Sequence, residues 1–371
     1  MEIIILKGNL KDGLSVLGRI GSDNLTLPIL KNCLIETVDN KLKISATNLE
    51  IGITCFVPAK IVKDGEITAP LNIFSSLISN IQNERINIDA KDKSLKISTE
   101  NYKAKIQGIA KEDFPIIPQI ENKEEFLEIE NAFFKNALLS VIGAAQFTGA
   151  KLELNGVLFD FQFGFLKLAA TDSFRLAEKT IDEKKYKSTF NRKIKAIIPI
   201  KTLSELIRII PDNNEKIKVY FDDNQVLFKT EEFELISRLI NGDFPEYEAI
   251  IPKKTSIEIN LQKEQLINAI KLTGAFADKN NEIRVIIKEG AKNMEIFSSN
   301  PVLGENQYLI PAKIKGGEVD ITFNWKFLLD GIKNIESENI FIGLNGDNKP
   351  AIIKPNSDQE YFYILMPIKS E

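Results

Sequence analysis

The reading of this chain turns on residues 166–179, Leu166-Lys167-Leu168-Ala169-Ala170-Thr171-Asp172-Ser173-Phe174-Arg175-Leu176-Ala177-Glu178-Lys179. Leu166, Leu168 and Ala170 alternate with Lys167 and Ala169, the period-two pattern of a strand with one face buried. Thr171, Asp172 and Ser173 break the pattern with three small polar residues that favour a turn. Phe174, Leu176 and Ala177 then resume it, with Arg175 set between apolar neighbours. The unit reads as strand, tight turn, strand. Two uses are open for it: an ordinary hairpin whose Arg175 answers a nearby acid, or an apolar floor with one polar rim group, as a peptide pocket needs.

Working outward, 371 residues suffice for two or three domains. With 43% hydrophobic and 27% charged residues, the composition is that of a soluble globular protein. The apolar start Ile3 to Leu6 is too short for a signal peptide, and no run reaches the length of a membrane span. Cys33 and Cys55 both lie in apolar strand-like runs, so buried reduced thiols and a cytosolic setting are expected. The chain has no histidine, which removes the usual general base and the commonest metal ligand. No C-x-x-C, Gly-Lys-Ser/Thr or G-x-G-x-x-G stretch replaces it. Catalytic chemistry is left without a candidate beyond a carboxylate such as Asp172 near Arg175.

One unit is written three times. Glu2 to Ile5 reads as a strand leading into a helix over Asn9 to Ile20, with Leu10, Leu14 and Leu17 at helical spacing. Phe126 to Ile129 leads likewise into Asn131 to Gln146, and Ser256 to Ile259 into Gln262 to Ala277. Each copy carries a second helix, around Ile73 to Ile81, Leu203 to Ile210 and Trp325 to Ile332. Asp113-Phe114-Pro115 closes the first copy and Asp243-Phe244-Pro245 the second, each followed by Ile-Pro. Proline cannot donate to a ladder, so these are natural exits from a sheet. The expected class is α+β, with three similar domains of two helices and roughly eight strands, and boundaries at 1–122, 123–253 and 254–371.

Thr171-Asp172-Ser173-Phe174-Arg175-Leu176 resembles the T-D-x-x-R-L signature of the bacterial replicative sliding clamps, the beta subunits of DNA polymerase III. Leu25 to Leu30, Leu154 to Phe159, Asp243 to Tyr247 and the ending Tyr363 to Ile368 resemble the same family, so the likeness spans the chain. It implies a DNA clamp fold, with two helices per domain packed on antiparallel sheets and six domains per dimeric ring. It also implies a non-enzymatic processivity factor that encircles duplex DNA, slides without reading sequence and tethers the polymerase. The implied partners are a second copy, duplex DNA, the polymerase III alpha subunit, a clamp loader complex and other clamp-binding proteins, in the cytoplasm at replication forks. No cofactor or metal is implied.

Carried over residue by residue, the resemblance gives a peptide pocket of Leu154, Thr171, Ser173, Phe174, Arg175, Leu176, Pro245, Ile250, Ile364, Met366, Pro367 and Ile368. Arg175 and the Thr171 hydroxyl would orient polar parts of the peptide. Phe174 and Ala249 depart from the family, standing where many clamps have histidine and some have arginine. The ring seam would involve the edge Tyr102 to Ile106 and the helix bearing Phe276, with Ile106 and Phe276 at the contact. Family DNA contacts are expected on the helices, at Arg19, Lys135, Lys201, Arg208 and Lys271. Asn24 and the short Phe147 to Lys151 segment depart from the family's DNA-contacting pattern.

Charge agrees with that expectation. The six helical segments hold nine basic residues (Lys11, Arg19, Lys135, Lys201, Arg208, Lys263, Lys271, Lys326 and Lys333) and four acidic ones (Asp12, Glu205, Glu264 and Asp330). Nine minus four is +5 in a chain of net −4, which leaves −9 elsewhere. A basic lining with an acidic exterior suits phosphate contact without base reading. Two other readings are a peptide-binding scaffold with no DNA role and a carboxylate-dependent hydrolase.

Overall fold

Each α-helix among the described residues grows straight out of a strand. Glu2–Leu6 runs into α1 (Lys7–Leu17), and Glu66–Pro70 into α2 (Leu71–Asn80). Leu127–Glu130 runs into α3 (Asn131–Ile142), and Ile194–Pro199 into α4 (Ile200–Ile209). Ile257–Gln262 runs into α5 (Lys263–Gly274), and Val319–Asn324 into α6 (Trp325–Lys333). The computed structural model describes residues 1–18, 20, 27–147, 149, 151–356 and 360–368. Among them are 26 strands, so each helix pair comes with eight or nine, an α+β arrangement of three sheet-rich repeats. Among the described residues, no helix is long and apolar enough to cross a membrane.

Local chemistry explains the switch from period two to period 3.6. Pro70 and Pro199 precede α2 and α4 with φ of −57° and −56°, and a proline there costs no helical hydrogen bond. Asn324 caps α6, its side-chain oxygen accepting from the N–H groups of Lys326 and Phe327 at 3.0 and 3.3 Å. The first helix of each repeat is shorter than the apolar periodicity predicts. α1 begins two residues before Asn9 and stops at Leu17, because Gly18 takes φ +50°. α3 and α5 end at Ile142 and Gly274, and the apolar stripe beyond them continues in turns. Each helix buries its stripe: Leu10, Leu14 and Leu17; Phe134, Leu138 and Val141; Leu266, Ala269 and Ile270.

The chain divides into two compact units. The first comprises Met1–Ile129, Lys187–Asn191 and Glu215–Leu239. It holds a five-stranded sheet ending at the edge strand Lys103–Gln107, and a nine-stranded sheet. Within the latter, Ile51–Pro58 pairs antiparallel with Phe233–Arg238, so strands of the first and middle repeats share one ladder. Cys33 and Cys55 are buried and free here, and burial pushes both thiols up to about 12. The second unit comprises Glu130–Tyr186, Arg192–Asn214 and Ile240–Glu371, with one twelve-stranded sheet. Within it Arg175–Asp182 pairs antiparallel with Tyr361–Leu365, joining the middle repeat to the last in the same manner.

Candidate functional site

The Thr171–Arg175 turn is built by its own side chains. The Thr171 hydroxyl donates to the Arg175 carbonyl at 2.6 Å and accepts from the Ser173 N–H at 3.2 Å. Asp172 Oδ1 accepts from the Phe174 and Arg175 N–H groups at 2.9 and 3.0 Å, while Ser173 takes φ +76°. The first repeat makes the same turn at Thr47-Asn48-Leu49-Glu50-Ile51. Thr47 Oγ1 donates to the Ile51 carbonyl at 2.9 Å, Asn48 Oδ1 accepts from Glu50 and Ile51 at 3.0 and 2.8 Å, and Leu49 takes φ +75°. The threonine and the acid or amide are therefore turn chemistry shared by repeats. Arg175 and Leu176 distinguish the second copy.

Those two residues point to opposite faces of the sheet, as neighbours on a strand must. On the helix side, Arg175 Nε donates to Asp172 Oδ2 at 2.8 Å and Nη1 to Asp330 Oδ2 on α6 at 2.7 Å. The guanidinium carbon lies 4.0 Å from the Phe327 ring centre. Burial would lower the Arg175 pKa, but Tyr363, Asp330 and Asp172 outweigh it and raise it. Tyr363 and Tyr361 anchor the same helix by donating to the carbonyls of Phe327 and Gly331 at 2.8 and 3.0 Å. Strand alternation turns Arg175 to the helix side, where two carboxylates neutralise it. The Thr171 hydroxyl, likewise, is already spent on the turn, as is the Asp172 carboxylate on which a hydrolase would depend.

The other face is apolar. Leu176 pairs with Ile364 across the ladder, and both join Leu158, Ala169, Ile197, Phe244, Tyr247 and Ile352 in one buried cluster. The segment Asp243 to Pro252 lies over it, contributing Phe244 and Tyr247, with Ile251 packed against them. Of the expected pocket residues, Leu154, Thr171, Leu176 and Ile364 are buried. Ser173, Phe174, Pro245 and Ile250 are exposed, Phe174 to 63% and Ile250 to 47%. Met366, Pro367 and Ile368 are half-buried. The Met366 N–H donates to the Phe174 carbonyl and that of Ile368 to the Thr322 carbonyl, both at 2.8 Å. Met366 is thus tied to the turn, and Phe174, Pro245 and Ile250 are the exposed apolar residues of the expected rim.

Sequence reasoning missed what anchors the rim. Tyr247 donates its hydroxyl to Glu178 Oε2, and burial with that bond raises the Tyr247 pKa. Lys167 Nζ reaches Glu248 Oε1 at 3.3 Å and lies 4.0 Å from Glu178 Oε2. A glutamate at a core-facing strand position was the available signal, since a buried carboxylate demands a partner.

The helix cations serve different ends. Lys201 and Lys271 are exposed, and Arg208 is exposed but pairs with Glu205 at 2.9 Å. Lys135 instead donates to the Ile210 carbonyl at the end of α4 at 3.2 Å, and Lys263 to the Ile335 carbonyl beyond α6 at 3.0 Å. Both lysines thus answer carbonyls at or just beyond helix C-termini. Arg19, Asn24, Leu25, Thr26, Thr148 and Ala150 lie outside the described residues. Of the expected seam residues, Phe276 is half-buried, whereas Ile106 is 5% exposed. Ile106 sits opposite Leu95 in the ladder and belongs to the chain's own core. What the edge Lys103–Gln107 offers outward is its unpaired backbone. Residues 305–309 also have a strand on one side only among the described residues, because Gly304–Lys315 meets Ile257–Gln262 only through 312–315.

Comparison with known proteins matches DNA polymerase III beta subunit domains in order along the chain: N-terminal over 1–118, central over 128–246 and C-terminal over 248–369. The chain belongs to the DNA polymerase III beta subunit family. It is a processivity clamp of DNA replication, a non-catalytic accessory subunit. The beta sliding clamp of Synechocystis sp. is 28% identical to it, across all of this chain and 99% of that one. The beta sliding clamp of Bacillus subtilis is 26% identical over the full length of both. The crystal structure of the Bacillus subtilis clamp superposes with a TM-score of 0.94 at 25% identity, again over the whole of both chains.

Proposed function

We propose that two copies of this chain close a ring around duplex DNA, slide on it without sequence preference and hold DNA polymerase III through a peptide groove. What supports the groove is that Phe174, Pro245 and Ile250 are exposed, while Leu176 and Ile364 are buried in one cluster with Phe244 and Tyr247 of the linker that carries Pro245 and Ile250. A short peptide with apolar anchors would seat there, and tethering would raise the local concentration of polymerase at the primer end. The polymerase III alpha subunit, the clamp loader complex and other clamp-binding proteins are the proposed users. The three domains run 1–122, 123–253 and 254–371.

For DNA, Lys201, Arg208 and Lys271 are the proposed phosphate contacts, with Arg19 on the same expectation. Lys135 is better assigned to its helix cap. For the ring seam, the unpaired edge Lys103–Gln107 of one copy would meet residues 305–309 and the Phe276 region of the other. Pairing across subunits removes two exposed edges at once. The protein would act in the cytoplasm, at replication forks on the nucleoid.

Solution mass followed by retention on circular and linearised DNA, with a loader present, tests this reading. A dimer of twice 41.8 kDa that stays on circles and runs off cut ends is expected. A monomer, or equal loss from both DNAs, overturns the ring.

A further inference from the structure

The two inter-repeat joins allow an internal comparison. Counting from Thr47 and Thr171, which open the equivalent turns, Gly52 corresponds to Leu176, Ser45 to Ala169 and Thr54 to Glu178. At the first join the segment after Phe114 crosses directly over the sheet. A Cβ on Gly52 would come within 2.8 Å of the Ile117 side chain, so a larger residue there would displace the crossing segment's side chain. The polar pair beneath is closed on itself, with Ser45 Oγ and Thr54 Oγ1 2.9 Å apart.

At the second join neither condition holds. Leu176 fills the place of Gly52. The linker is longer, Phe244 and Pro252 being eight apart where Phe114 and Pro118 are four. Across the ladder from Glu178 stands Ala169, which offers its carboxylate nothing. Glu178 is nevertheless 5% exposed, and the groups that answer it are Thr180 at 3.2 Å, Lys167 and the hydroxyl of Tyr247 on the linker. Glu248, next in sequence, is held by Lys167 at the start of the short turn that ends at Ile250.

We infer that Tyr247 and Glu178 are the positioning pair of the groove: their hydrogen bond fixes the linker that carries the rim residues Pro245 and Ile250. The inference rests on the peptide-groove reading above. Neither residue touches the peptide; both set where its rim lies. Tyr247 is joined to the sheet two residues along the strand from Leu176, about 7 Å, so the extra linker length is drawn away from the turn tip.

The test uses the full-length chain and labelled peptides tiled across the polymerase III alpha subunit, the tightest binder serving as probe. The double substitution Ala169→Ser with Glu178→Thr transplants the self-contained pair of the first join and leaves no buried charge unpaired. It should keep the melting temperature and weaken the probe by about tenfold, some 1.4 kcal/mol. Glu178→Gln still accepts from Tyr247 and should stay within about threefold of the parent. Tyr247→Phe, measured alongside, carries the same expectation of weakened binding if the double variant does not fold. Parental affinity in the double variant or in Tyr247→Phe, or an equal loss in Glu178→Gln, overturns the inference. A parent protein that binds no peptide sinks the groove reading itself.

Discussion

Arg175 acts as a brace between a turn and a helix, held by Asp172, Asp330 and the face of Phe327. Replacing it with methionine keeps the stem but leaves Asp172 with only its turn hydrogen bonds and Asp330 with only Lys333. A loss of about 2 kcal/mol in urea denaturation is expected, where an exposed rim cation would cost nothing measurable. The cysteines give a second expectation. With both thiols buried and raised to about 12, neither should react with a thiol reagent at pH 8, and both should after unfolding. Their raised values also set a sign for pH. The unfolded thiols lose protons above about 9 while the folded ones keep theirs, so this contribution is intact below pH 9 and declines as pH climbs towards 12. Chemical denaturation at pH 8 and pH 10.5 checks it, the lower midpoint being expected at pH 10.5.

Among the elements, α6 is seated tightly, because a Cβ on Gly331 would collide with the Tyr363 ring. Gly331→Ala gains helix propensity of about 1 kcal/mol yet should lower stability by about 1–2 kcal/mol net through overpacking, read as a drop in melting temperature. How much of this could be read beforehand differs by element. The strand–turn–strand unit, the helix stripes and the Pro-marked exits were legible, since each rests on local periodicity or backbone constraint. So was the threefold repeat, although helix ends overshot where Gly18 stops α1. Which way Arg175 faces required the register against Leu365 and the place of α6, both set by residues far away in sequence. Lys135 and Lys263 carried the right charge for DNA, but their reach to a neighbouring helix end is a tertiary fact.

For the whole molecule, net charge on the helices matters less than which cations are available. On the ring reading, Lys201→Glu with Lys271→Glu should weaken DNA retention and lower the log–log salt slope by about 0.9 for each phosphate no longer neutralised. Lys135→Gln should leave that slope in place and cost stability instead, which a salt titration beside a thermal melt separates. The sheet joins have a further consequence for dissection. The middle repeat lends Phe233–Arg238 to a ladder with Ile51–Pro58, and Arg175–Asp182 to another with Tyr361–Leu365. Cut out alone, residues 123–253 would bare two long hydrophobic edges, one at each border, with no cap on either. Such a fragment is a template for intermolecular strand addition. Truncations meant to isolate the groove would therefore clump rather than bind, and the smallest soluble piece keeps both neighbours.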